Sequence, residues 1–427
     1  MHVKFAFGKS GLDVSLPEGF RYQLLEARSA QPLPYPDAAL ASALETPIGA
    51  PALRKLAQGK KTAAISVCDI TRPAPNRVVL PHVLRNLAEA GIPRELVTVL
   101  IATGLHRPAT EAEIREIIGA ELRDSLNVVN HYAKNLGDHR FLGETSTGTP
   151  VHIDERFVAA DIRITLGFIE PHLMLGFSGG RKLIAPGLAA AETIKVLHSP
   201  KFMRDARAVE GSIADNPLHR ELLEISRLAR HDFMVDVALT RDRKIAGVFA
   251  GHPEQAHAAG TEFVSRTMLE TIDEPVDVAI TTSAGYPLDL TFYQTVKGIT
   301  AAQHIVKPGG RILVISECAE GAGAPEFQDM MRRFASDREF LAYIDAAPVT
   351  VDQWQLEKLA LVSTQKQVLY LTPGLPEEFR SRLWGRYCET LDDALAAALE
   401  GLPESARVAV IPEGPYVLAR VAEMTAA

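Results

Sequence analysis

The sequence predicts an α/β chain of two domains, each built on a mainly parallel sheet. Three observations carry this expectation. The 427 residues exceed what one hydrophobic core usually organises. Short, nearly continuous apolar runs rich in Val and Ile recur along the chain, as strands do when both faces of a parallel sheet are covered. Between them lie stretches whose apolar residues fall at helical spacing.

Taken in order, VKFAF and LDVSL alternate apolar and polar residues around Gly8-Lys9-Ser10-Gly11, the pattern of a hairpin at an edge. TAAISV (62–67), VTVLIAT (97–103) and DIRITLGF (161–168) read as buried strands. VVLPHVLRNLAEAG (78–91) reads as a helix ending at Gly91, and Thr110 with Glu113 forms a capping box that starts TEAEIREIIG. A second set of units begins near Pro275. Its strands are VDVAITT, RILVIS, VLYLT and ARVAVIP, and its helices include TAAQHIVK and LDDALAAALEG. TEFVSRTMLETIDEP between the sets reads as helix and linker. The expected domains are therefore 1–270 and 271–427, with a closing helix YVLARVAEM packed back on the first.

Composition narrows the function. Hydrophobic residues at 47% and charged residues at 23% are ordinary for a folded chain, which argues against disorder or a coiled coil. A net charge of −8 and the lack of a basic stripe interleaved with aromatics disfavour nucleic-acid binding. No apolar run approaches the roughly eighteen residues of a membrane span, and the start lacks an apolar leader core, so the expected location is the cytoplasm. Cys68, Cys318 and Cys388 are too scattered for a disulfide framework or a thiolate zinc site and read as small core residues.

In an open parallel sheet, ligands bind beyond the carboxyl ends of the strands. Here those ends carry Asp69-Ile70-Thr71-Arg72, then Gly104-Leu105-His106, then Glu170-Pro171-His172. An Asp/Arg pair and two histidines are thus delivered towards one crevice. GFSGGRKLIAPG (176–187) has the glycines for close backbone approach and reads as an anion cradle around Ser178, Gly179, Gly180, Arg181 and Lys182. It is neither a Walker A loop nor a dinucleotide fingerprint. His198 lacks the close partners of an ordinary zinc site, so a metal there needs most of its ligands from elsewhere. Further on, Tyr293-Gln294-Thr295-Val296-Lys297-Gly298 opens a helix that places Gln294 and Lys297 on one face.

Together, DITRP, GLHRP, EPH followed by GFSGGRK, His198 and YQTVKG resemble the lactate racemase family, in the family's order and across both domains. The resemblance implies an isomerase that racemises or epimerises a small 2-hydroxy acid by proton-coupled hydride transfer through a 2-oxo acid. It implies a nickel-pincer nucleotide, a pyridinium-3,5-bisthiocarboxylic acid mononucleotide, covalently joined to Lys182, with nickel also held by His198. His106 and His172 would alternate as base and acid, one for each enantiomer. Arg72 would take the substrate carboxylate, and Gln294 and Lys297 would reach in when the cleft closes. Asp69, Thr71, Ser178, Gly179, Gly180, Arg181 and Tyr293 would contact the cofactor, and Met174 would line the substrate pocket. Cofactor-making enzymes are implied as upstream partners. The rival readings are a pyridoxal-phosphate protein using Lys182, a histidine-based zinc hydrolase, and a two-domain binding protein for a nucleotide or hydroxy acid without catalysis.

Overall fold

The structure is a computed structural model that describes residues 1–26, 28 and 30–422. The chain divides into two compact units. One holds Ser29–Leu197 and Asp205–Thr267, and the other holds Met1–Arg28, His198–Arg204 and Met268–Ala427. Each carries a six-stranded sheet, and the mixed α/β class expected from the sequence is the observed one.

In the Ser29–Thr267 unit the strand order is Ile245–Gly251, Phe233–Leu239, Ile162–Phe168, Ala63–Cys68, Val97–Ala102, Asn127–Asn130. All pairings are parallel except the first, where Phe233–Leu239 and Ile245–Gly251 form an antiparallel edge. Ala63–Cys68 and Ile162–Phe168 are buried along their whole length, which is why they read as continuous apolar runs rather than alternating ones. One core joins them to Val79, Leu80, Val83 and Leu87 of the helix Asn76–Glu89 and to Ile114, Ile117 and Ile118 of the helix Glu111–Ile118. The capping box forms in both directions: Thr110 Oγ1 accepts from Glu113 N at 3.3 Å, and Glu113 Oε2 accepts from Thr110 N at 2.7 Å.

The second unit has the order Arg386–Tyr387, Gln367–Leu371, Val306–Ile315, Val276–Thr282, Arg407–Ile411, Arg21–Leu24, all parallel. The grouping departs from a single division near residue 270 in two segments. Residues 1–28 belong here because Arg21–Leu24 adds to Arg407–Ile411, and because Val3, Phe5, Val14 and Leu16 of the amino-terminal hairpin pack on Val278, Ile280 and Val408. His198–Arg204 belongs here for reasons given below.

Two expected helices differ. TAAQHIVK is the tail of the helix Phe292–Ala302, a single turn Gln303–Ile305, and then strand from Val306. In YVLARVAEM, Leu418–Val421 is a strand parallel to Leu269–Ile272 and belongs to its own carboxyl-terminal unit, since an available strand edge outweighs weak helical spacing; residues 423 and 424 lie outside the described residues. The three cysteines are buried, as expected, and burial pushes the Cys68 thiol up to about 12. Among the described residues, no helix is long and apolar enough to cross a membrane.

Candidate active site

Strand Ala63–Cys68 lies between Val97–Ala102 and Ile162–Phe168, so the loops that follow these three strands leave one edge of the sheet side by side. After Cys68 the chain turns on Asp69, whose buried carboxylate is fully engaged. Its Oδ1 accepts Thr71 Oγ1–H at 2.6 Å and Thr71 N–H at 3.2 Å, and its Oδ2 accepts from His106 Nδ1 at 2.7 Å. The Asp69 pKa is held below the ordinary carboxyl value. Burial, the largest single influence, pushes it up, but the His106 hydrogen bond and charge, with Arg72 and Thr71, outweigh it. An ionised Asp69 therefore fixes the hydrogen of His106 on Nδ1 and leaves Nε2 as the acceptor, on a ring whose side chain is about half exposed. Arg72 lies beside this pair, with Nη1 donating to Thr71 O and Oγ1 at 3.2 Å each. Asp69 and Thr71, expected as cofactor contacts, hold His106 and Arg72 in this structure.

His172 sits in a two-residue ladder, Pro171–His172 against Gly176–Phe177, so the turn that presents it also begins the glycine-rich segment. Backbone N–H groups of Met174 and Leu175 point at His172 Nδ1 at 3.4 Å each, a weak preference for the hydrogen on Nε2. Met174 itself is buried in this turn.

The glycine-rich segment, expected as an anion cradle, is held by bonds within its own unit. The Ser178 hydroxyl donates to Phe168 O and accepts from Glu170 N, and its own N–H goes to Glu170 O. Gly180 N–H is taken by Asp236 Oδ2 at 2.7 Å. Arg181 is not a surface cation. It is fully buried, with Nη2 donating to Leu175 O and Phe177 O at 3.1 Å each and Nη1 donating to His257 Nε2 at 2.5 Å. These residues cinch the loop from inside. Gly179 has φ +86°, and a Cβ there would overlap Asp236 Oδ2 and Ile169. The short helical turn Gly180–Leu183 then carries Lys182, the half-buried member of an otherwise buried turn. Ser66 Oγ donates to Leu183 O at 2.8 Å and Gly104 N donates to Gly187 O at 3.0 Å, tying this segment to both neighbouring strand ends.

In the other unit His198 packs its ring on Trp354, with centroids 4.3 Å apart. Trp354 Nε1–H donates to Tyr293 OH at 3.1 Å, and Gln355 Nε2 donates to Tyr293 O at 2.9 Å. Tyr293, Gln294 and Lys297 lie on the helix Phe292–Ala302, which approaches strand Val276–Thr282 so closely that a Cβ at Gly298 would overlap Thr282 O. Gln294 Oε1 is out of solvent and has no partner among the described residues. His198, counted by sequence with Lys182, thus belongs to the unit of Tyr293, Gln294 and Lys297.

Sequence reading missed Asp236, His257, Trp354 and Glu357. A carboxylate within the buried strand FMVDVAL, and Gln, Glu and Lys among the apolar residues of QWQLEKLALVS, were the available signals.

Residues 7–211 match the family described as the lactate racemase N-terminal domain, and residues 272–419 match the lactate racemase C-terminal domain. The chain belongs to the lactate racemase family. As a member it is an isomerase, which sets aside the binding protein without catalysis. The lactate racemase of Thermoanaerobacterium thermosaccharolyticum is 33% identical over 98% of this chain and 99% of its own length. That of Lactiplantibacillus plantarum is 33% identical over 88% and 89%. The solved lactate racemase apoprotein from T. thermosaccharolyticum superposes with a TM-score of 0.92 over 98% of this chain and 100% of that one. A Thermotoga maritima protein of 18% identity, TM-score 0.69, with 92% and 100% covered, shares the fold.

Proposed function

We propose that this lactate racemase family member racemises a small 2-hydroxy acid, lactate or a close analogue, and does so with a nickel-pincer nucleotide attached to Lys182. The observation that carries the reading is the pair of imidazoles that follow the two strands flanking Ala63–Cys68, one held by Asp69 to present an acceptor and the other inclined by backbone N–H groups to present a donor. A racemase needs such a group for each hand of its substrate.

The residues suit the cofactor. Among the described residues no three His, Cys, Asp or Glu side chains gather as a metal cluster, so His198 suits a metal that arrives with its other ligands. Lys182 is held for attachment by the cinched glycine turn. When bound, the group supplies the hydride acceptor and donor that make the carbinol carbon planar, as a 2-oxo acid, and tetrahedral again.

The chain's own residues do the rest. His106 takes the hydroxyl proton at Nε2 as Asp69 stabilises the imidazolium that forms. His172, entering as imidazolium, returns a proton to the same oxygen, and for the opposite enantiomer the two protonation states and roles exchange. Arg72 holds the carboxylate through its planar fork. Gln294 and Lys297 add polar contacts, and Tyr293 supports the ring of Trp354 beside His198. Cytoplasmic location and dependence on cofactor-making enzymes belong to this proposal.

The test is polarimetry on single enantiomers of 2-hydroxy acids, using protein co-produced with cofactor-making enzymes and checked by intact mass for the Lys182 adduct. His106→Ala or His172→Ala should keep the adduct and lose racemisation. Normal racemisation by the double variant would overturn the two-imidazole mechanism.

A further inference from the structure

His198 stands at the start of a seven-residue segment, His198–Arg204, that belongs to one unit while Leu197 before it and Asp205 after it belong to the other. Both ends of the segment are anchored. At the first, the His198 ring lies on Trp354. Between them a short helix, Pro200–Met203, buries Phe202 and Met203. At the far end Arg204 is held by three groups: Nε donates to Glu357 Oε1 at 3.1 Å, Nη1 meets Asp345 Oδ1 at 2.5 Å, and Nη2 donates to Leu341 O at 3.0 Å. Lys358 Nζ donates to Met203 O at 2.9 Å. Trp354, Glu357 and Lys358 all come from one helix, Gln353–Ser363.

That helix is costly to build as it stands. Glu357 is 0% and Lys358 5% exposed, and Glu357 Oε2 has no partner among the described residues. Buried ion pairs are often replaceable by apolar side chains with no loss of stability, so stability alone does not account for charges here. Fixing the segment does account for them. A chain that leaves one unit for only seven residues has little local structure to set its register, and the Arg204 fork is the directional contact that does so.

We propose that Arg204 and Glu357 are positioning residues for His198: their contact fixes the segment on the helix Gln353–Ser363 and so sets the imidazole where it can hold the metal. The inference rests on the reading of His198 as a metal ligand.

The experiment uses holoprotein co-produced with the cofactor-making enzymes. Nickel per Lys182 adduct is followed by elemental analysis and intact mass during a challenge with excess EDTA, and the apoprotein melting temperature is measured in parallel. Arg204→Met should release nickel at least tenfold faster than the parent with its adduct intact, and Arg204→Lys should recover part of the difference. Glu357→Leu should also release nickel faster, and the paired replacement Arg204→Met with Glu357→Leu should melt higher than Glu357→Leu alone, because no cation of the pair is then left uncompensated, yet release nickel as fast. If His198→Ala loses nickel but Arg204→Met and Glu357→Leu hold it at the parental rate, the positioning role fails and the metal reading stands. If His198→Ala itself holds nickel, the metal reading fails and takes this inference with it. Should Arg204→Met not fold, Glu357→Leu and Arg204→Lys decide, and parental release from both overturns the proposal.

Discussion

Asp69 Oδ2 accepts the Nδ1 hydrogen of His106 at 2.7 Å, although the two residues lie 37 positions apart and follow different strands. The bond leaves Nε2 of a half-exposed imidazole as the acceptor. Asp69→Asn keeps the size of the side chain but can present an N–H to Nδ1, which reverses the tautomer. Racemisation should fall by on the order of 10²–10⁴, the range for misplacing a general base, while the Lys182 adduct stays at the parental level by intact mass. A variant that loses the adduct instead would assign Asp69 to the cofactor after all.

The same carboxylate leaves an acid signature. Its folded pKa lies below the ordinary 3.8, so its contribution to stability is present above that value and is lost as pH falls through the lower, folded one. The melting-temperature difference between parent and Asp69→Asn should therefore shrink as pH falls below 3.8.

Asp236 should show the opposite sign. Burial pushes its pKa up to about 7, against which the Gly180 N–H and Arg181 pull it down. The folded state thus holds a proton that the unfolded chain releases above 3.8, and stability from this site declines as pH rises from about 4 to 7, by up to roughly 1.4 kcal/mol per pH unit. Asp236→Asn removes that slope, whatever constant offset the amide adds beside the Gly180 N–H. Melting curves of the two proteins across this window should converge or diverge steadily in favour of the variant as pH rises; parallel curves would show that Asp236 does not change its proton there.

Gly179→Ala tests the cinched turn. At φ +86° an alanine is strained by about 1–2 kcal/mol, and its Cβ overlaps Asp236. The expected result is a lowered melting temperature and a reduced Lys182 adduct fraction. Full loading would mean that the turn can present Lys182 in another shape.

Trp354 offers an optical check. The chain has two tryptophans, and Trp354 is the one packed at a tilt on His198, whereas Trp384 packs on Phe340. Loading with the nickel cofactor should quench intrinsic fluorescence in the parent and in Trp384→Phe, and the change should vanish in Trp354→Phe.

Much of this was legible in local sequence. The fully buried strands announce themselves as apolar runs, because a parallel sheet covered on both faces leaves no polar side to alternate with. His106, His172 and Arg72 are legible because a strand end in such a sheet faces the ligand edge. The glycine-rich segment was legible as a special turn, but not in its purpose. Whether a serine or an arginine faces ligand or core depends on residues far away in sequence: Ser178 on Phe168, Arg181 on His257.

By itself, then, the sequence determined the α/β class, the buried central strands of both sheets and a set of candidate residues for acid, base and carboxylate-binding chemistry, since periodicity and residue type are local properties. Tertiary structure alone decided that Asp69 serves His106, that Arg21–Leu24 completes the sheet of the carboxyl-terminal unit, and that His198 belongs with Trp354 and Arg204 rather than with Lys182. Those assignments rest on strand addition and on buried hydrogen bonds between distant segments, where desolvation makes each unpaired polar group expensive and so fixes one partner among many.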